Sequence, residues 1–164
     1  MGYTHYWYQD GDFSEDQWSQ IKDLSWSAYE NWLDFIHSTD SESELFPLAS
    51  WDGKNLPEFT DLDIAFNGRG KDGHESFVLP RCMPDPKEEQ PWRVAAGNSD
   101  YFAFCKTAQK PYDTMVAAVL LIANHVAPEV IRYDSDGDVK EWEAPVMLAS
   151  KVIGSRVSFN PMLD

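Results

Sequence analysis

The spacing of apolar and polar residues changes period several times along this chain, and each change marks an element. Residues 2–9 alternate, with Tyr3, His5 and Trp7 on one side and Thr4, Tyr6 and Tyr8 on the other, the period of two expected of a strand. Ser14 and Gln17 then form a capping-box pair, with Glu15 and Asp16 suited to a first helical turn. Trp18, Ile21, Ser25, Ala28 or Tyr29, Trp32 and Phe35 or Ile36 recur every three or four residues, which predicts an amphipathic helix to about His37. Residues 38–60 break the pattern with Ser, Asp, Pro and Gly and read as a long irregular connection with room for one short helical turn. Leu62–Asn67 and His74–Pro80 read as the two strands of a hairpin around a glycine-rich tip, and residues 82–97 as a Pro-rich, charged surface excursion.

The stretch Tyr101 to His125 organises the rest. It reads as a strand, a short basic loop and an apolar helix, with Pro111 at the join, where its missing N–H fits a first helical turn, and Asp113 adding the negative charge an N-terminus favours. Pro128 ends that helix and Val130–Tyr133 follows as a strand, a pattern that suits parallel neighbours joined by a right-handed crossover. Glu143–Ile153 predicts a last helix closed by Gly154, and Val157 and Phe159 are candidates to join the core. The expected fold is α+β, a single domain over residues 1–164, with a mixed or mainly antiparallel sheet of five to six strands covered by two long helices and one shorter one.

Composition supports a packed globule: 43% hydrophobic residues, with 7 Trp, 7 Tyr and 9 Phe. No apolar run has the roughly 20 residues of a membrane span and the N-terminus lacks a signal-peptide pattern, so a cytoplasmic location in a bacterial host cell is expected. Cys82 and Cys105 lack metal-site spacing and read as reduced structural thiols; no metal and no cofactor is expected. The net charge of −15 argues against bulk nucleic acid and anionic membranes as partners. Its distribution is uneven, because residues 67–112 hold 7 Lys/Arg against 6 Asp/Glu, whereas residues 1–66 hold 2 Lys against 14 Asp/Glu. Arg69, Lys71, Arg81, Lys106 and Lys110 are therefore candidates to converge on a positive site.

Two apparent motifs fail on their spacing. Gly68, Gly70 and Gly73 match Gly-x-Gly-x-x-Gly, but His74–Pro80 reads as extended where a dinucleotide fingerprint requires a helix. Asp134–Asp138 begins like a calcium loop, but Val139 and Pro145 occupy the positions that need Gly and Glu, so Asp136-Gly137 reads as a hairpin turn. The remaining chemistry suits a small anionic or nucleotide-like ligand. Lys106 and Lys110 beside a helix N-terminus can hold phosphate; Tyr3, Trp7 or Tyr112 can stack a base; Asn67, Glu75 and Thr107 can read hydrogen-bonding edges, and His5 and His74 complete the polar set.

The segments Met1–Trp7, Ile64–Gly68 with His74–Phe77, Phe104–Thr107 with Lys110–Asp113, and Ser135–Asp138 resemble a family of small uncharacterised proteins common in phages and prophages. That resemblance implies an accessory role, a class that includes inhibitors of host defence. The expectation is thus a protein that sequesters a nucleotide immune signal. A nucleotide-cleaving enzyme would use His5 or His74 with Glu75 as acid/base pair and Lys106 on the developing charge. An acidic nucleic-acid mimic that inhibits a protein partner is the third reading. A symmetric homodimer is compatible with all three.

Overall fold

The computed structural model describes residues 2–39 and 48–162. Its elements are β1 (Thr4–Gln9), α1 (Glu15–Thr39), β2 (Leu48–Ala49), β3 (Glu58–Phe59), β4 (Asp63–Gly68), a 3-10 turn (Gly70–Asp72), β5 (Phe77–Pro80), α2 (Pro86–Glu89), α3 (Pro91–Ala95), β6 (Tyr101–Lys106), α4 (Asp113–Val126), β7 (Ile131–Ser135) and α5 (Glu143–Ile153). The α+β class and the antiparallel pairing are as expected. The arrangement differs, because the strands form two sheets: one of three strands in the order β6-β1-β7, and one of four in which β4 pairs with β2, β3 and β5. The short strands β2 and β3 lie inside the predicted irregular connection, much of which, residues 40–47, is outside the described residues. The excursion at 82–97 also holds structure: α2 and α3 each begin on a proline, and the Asp85 side chain caps α2 by accepting from the Lys87 N–H.

β1 is the centre of the three-stranded sheet. It runs antiparallel to β6, with Thr4 opposite Lys106 and His5 opposite Cys105, and antiparallel to β7, with His5 opposite Ser135. The strands flanking α4 are therefore not neighbours, as the crossover pattern suggested; the N-terminal strand lies between them. A strand rich in rings competes well for a central position, because both its neighbours then pack against it.

Alternation decides which side of this sheet is buried. Tyr3, His5, Trp7, Cys105 and Tyr133 point inward, under α4, whose residues Met115 to Ala123 are all buried. α1 and α5 both pack against α4 and against each other. The capping box of α1 forms as its sequence indicates: the Ser14 N–H donates to Gln17 Oε1 and the Gln17 N–H to Ser14 Oγ, at 3.0 and 3.1 Å. α5 ends at Gly154, in the left-handed conformation with φ of 83°. Tyr6, Tyr8 and Phe102 are half-buried on the opposite side of the sheet, and Phe104 there is 55% exposed.

Both edges of this sheet are blunted. At β6 the Gln90 amide imitates a strand, donating to the Phe102 carbonyl at 2.6 Å and accepting from the Phe102 N–H at 3.0 Å. At the other end of β6, Glu75 and His74 cover Lys106. Along β7, the Met162 N–H donates to the Tyr133 carbonyl at 2.9 Å. An exposed edge would otherwise recruit another chain.

Candidate functional site

Tyr3–His5, His74–Glu75, Lys106–Asp113 and Ser135–Gly137 meet at one end of the three-stranded sheet, where β1 begins, β6 ends and α4 starts. The sheet divides them into a buried network and an open face. On the buried side, His5 is fully enclosed between the rings of Tyr3 and Trp142, both meeting it edge-on. Ser135 Oγ accepts from the Gly137 N–H at 2.9 Å and from Trp142 Nε1–H at 3.1 Å. His5 Nδ1 lies 2.8 Å from the same hydroxyl, and Nε2 faces Asp113 Oδ1 at 2.6 Å, where a carboxylate acceptor calls for the ring N–H as donor. The buried Thr107 hydroxyl donates to the same Asp113 oxygen.

This Ser135–His5–Asp113 chain has the residue types of a nucleophilic triad but not its availability. Both lone pairs of Ser135 Oγ are occupied by N–H donors, whereas a nucleophile needs one free to attack. What the chain does is tie three distant segments together, and it places Asp113, a carboxylate, at the N-terminus of α4. The position that a helix dipole would offer to a bound anion is thus held by the protein's own side chain. Gly137 belongs to the same packing. A Cβ there would lie 2.1 Å from the Tyr3 hydroxyl oxygen, so glycine is required by close approach, and the expected hairpin turn is instead the link from β7 toward α5.

The sequence-predicted ligand residues separate accordingly. Trp7 is 1% exposed and packs on Phe77, Tyr112 is fully buried with its hydroxyl donating to the Glu75 carbonyl at 2.5 Å, and Tyr3 is buried, so none of the three leaves a ring face for a base. Asn67 spends its whole hydrogen-bonding capacity on the hairpin tip, accepting from the Gly68 and His74 N–H groups and donating to the His74 carbonyl and Ser76 Oγ. Gly68 and Gly73 close that tip, since a Cβ at Gly73 would lie 2.6 Å from the Gly68 carbonyl oxygen; this is the use of the glycine motif. Glu75 Oε2 accepts from the Lys106 N–H at 2.8 Å, and His74 Nδ1–H donates to the Lys106 carbonyl at 2.8 Å. The strand predicted from His74 begins at Phe77, because residues 74–76 serve β6 and Tyr112. His5 and Glu75 are therefore not an acid/base pair: each is engaged elsewhere, and His5 lies beneath the sheet.

Lys106 points the other way. Alternation puts it on the open face with Phe104 and Phe102, and its stem crosses Gly2, where a Cβ would lie 2.6 Å from Lys106 Cε. On this face the rings form a continuous row: Tyr6 is stacked on Phe102 with centroids 6.1 Å apart, and Phe102 meets Phe104 at 6.0 Å. Arg93 lies over Tyr8 and Phe102, Arg132 over Tyr8, and Asp10 and Asp100 pair with these guanidinium groups. Sequence reasoning passed over Phe104 and Tyr6 as ligand groups. The signal was present in the period of two, which sets Phe102, Phe104 and Lys106 on one face.

Of the other cations, Lys110 is half-buried in the β6–α4 loop, and Arg69 and Lys71 sit at the hairpin tip that reaches Lys106 through His74. Arg81 does not join them; it lies at the far end of the hairpin, where its Nε–H donates to the Phe13 carbonyl. Among the described residues no helix is long and apolar enough to cross a membrane. Compared with protein-family models, with curated proteins and with solved structures, the chain matches none of them.

The buried network also has a signature in alkali. Burial pushes the Cys105 thiol up from 9.0 to about 12, with the Glu75 and Asp113 charges adding to it. Burial raises the Tyr3 hydroxyl from 10.0 to about 12, helped by Asp113 and Glu141, and burial raises Tyr112 as well. All three folded values lie above the unfolded ones, so between them the unfolded chain releases protons first and stability falls with rising pH. Urea midpoints should hold to about pH 8 and then decline from about pH 9, each group contributing up to about 1.4 kcal/mol per pH unit. Cys105→Ala should delay the onset toward pH 10, where only the tyrosines remain.

Proposed function

We propose that this protein binds a small phosphorylated, nucleotide-like ligand on the open face of the three-stranded sheet and holds it without chemistry. The observation that carries this reading is the placement of Lys106 on the same open face as Phe104, which is 55% exposed. A ring accepts a base by stacking, and an ammonium two residues along the same strand face accepts a phosphate. Sequestration is favoured over turnover because His5, among the described residues the histidine paired with a carboxylate, is enclosed on the opposite side of the sheet. In a phage context such a protein would act as a sponge for a nucleotide second messenger made by host defence, which is the role the family resemblance suggests.

A thermal-shift screen against cyclic dinucleotides, cyclic mononucleotides and ADP-ribose derivatives tests this. A ligand at 100 times its dissociation constant stabilises by about 2.7 kcal/mol, or roughly 5–10 °C at this chain length. Lys106→Ala should abolish the shift and leave the unliganded melting temperature within about 2 °C, since a surface change of this kind costs about 0.5 kcal/mol or less. Recovery of the ligand unchanged after incubation is expected, and its consumption would show an enzyme. Unchanged affinity in Lys106→Ala would overturn the placement, and no shift with any nucleotide would turn attention to the acidic surface and a basic protein partner.

A further inference from the structure

The open face is electrically asymmetric across β1. On the β6 side stand Phe104 and Lys106; on the β7 side Asp134 lies opposite Tyr6, and Asp136 follows at the strand end. Asp136 is held in place, accepting from the Thr4 N–H through Oδ2 at 3.0 Å and from the Tyr6 hydroxyl through Oδ1 at 3.1 Å. The far end of the face, around Tyr8, is taken up by Arg93 and Arg132 with their aspartates. The exposed part therefore runs from an ammonium, across two rings, to two carboxylates. A phosphate alone would satisfy the first and be repelled by the last.

Resting on the ligand-binding reading and narrowing it, we infer that the ligand's base carries an exocyclic amine. The base lies on the rings of Phe104 and Tyr6, the phosphate meets Lys106, and the amine donates to Asp134 or Asp136. A carboxylate accepts from the N–H groups of adenine or cytosine, whereas uracil presents a carbonyl oxygen at the equivalent position and meets it as a like dipole. Uridine nucleotides are thus selected against by the same charges that make the whole surface hostile to bulk nucleic acid.

Titration calorimetry on the full chain decides this with matched probes: CMP against UMP, cyclic di-AMP against cyclic di-UMP, and ribose 5-phosphate. Amine-bearing bases are expected to bind at least tenfold more tightly than their uracil counterparts. Phe104→Ala, a change at an exposed position, should weaken them about tenfold and leave ribose 5-phosphate unaffected, and Asp134→Asn with Asp136→Asn should erase the preference for an amine. Equal binding of the paired bases, or indifference to Phe104→Ala while Lys106→Ala still weakens binding, would overturn the inference and leave the ligand site standing. Absence of binding by every probe would overturn both.

Discussion

Replacing Trp142 with alanine should lower the unfolding free energy by about 4 kcal/mol, more than any change on the open face. The indole is fully buried, stacked on Phe159 at 4.6 Å and on Tyr133 at 5.3 Å, and it meets His5 edge-on at 5.2 Å. Its removal leaves a cavity at the junction of β7, α5 and the C-terminal tail, and takes one of the two N–H donors from Ser135 Oγ. At this chain length about 4 kcal/mol corresponds to a fall of roughly 8–16 °C in melting temperature. Trp142→Phe separates the two contributions. It keeps most of the stacking and loses the bond to Ser135, so it should cost about 1–2 kcal/mol. If the phenylalanine variant proves as damaging as alanine, the hydrogen bond into the network outweighs the packing.

The elements were legible where a local pattern was strong. The capping box at Ser14 and Gln17, the apolar run of α4 and the glycine after α5 each act within one turn of chain, and each marked its element to within a residue or two. What escaped is set by contacts across the sequence. Nothing near Val130 announces that the neighbour of β7 is β1, because the choice is made by rings 125 residues away. The short strands β2 and β3 exist only because β4 offers them an edge, and two-residue strands carry no periodicity of their own.

The site was legible as a list and not as a surface. Several of the residues chosen from sequence meet at one end of the sheet, but a strand presents alternate residues to opposite sides, and choosing His5 and Lys106 together chose both sides at once. The polar set that looked like ligand contacts is largely self-satisfied: Asn67 closes a turn, Thr107 and His5 hold Asp113, and Glu75 covers a strand edge. Asp113 was legible as the charge at the start of a helix and Ser135 as part of a turn, but their bonds to His5 are set by contacts more than 100 residues apart in sequence. Once the buried partners are assigned to each other, the groups that remain on the open face are Lys106 and Phe104, with Asp134 and Asp136 across β1 each holding a local hydrogen bond.

A double-mutant cycle on His5 and Asp113 tests whether that division is right. His5→Ala should cost about 3 kcal/mol, since it opens a buried space, strands the Ser135 hydroxyl and takes one donor from Asp113. Asp113→Ala should cost about 2 kcal/mol, less because its side chain is 18% exposed and water replaces part of what is lost. The two share a hydrogen bond, so the double variant should fall short of the sum by about 1 kcal/mol or more. Ligand affinity in His5→Ala, measured below its lowered melting temperature, should change little, because the open face is built by the outward residues of β1 and β6. An additive cycle would mean that the histidine and the carboxylate are neighbours without being partners. A His5→Ala protein that melts normally yet no longer consumes a nucleotide that the wild type consumes would mean that the enclosed histidine is reached by substrate after all, and that the buried side of the sheet, with Ser135 and Asp113, is the working one.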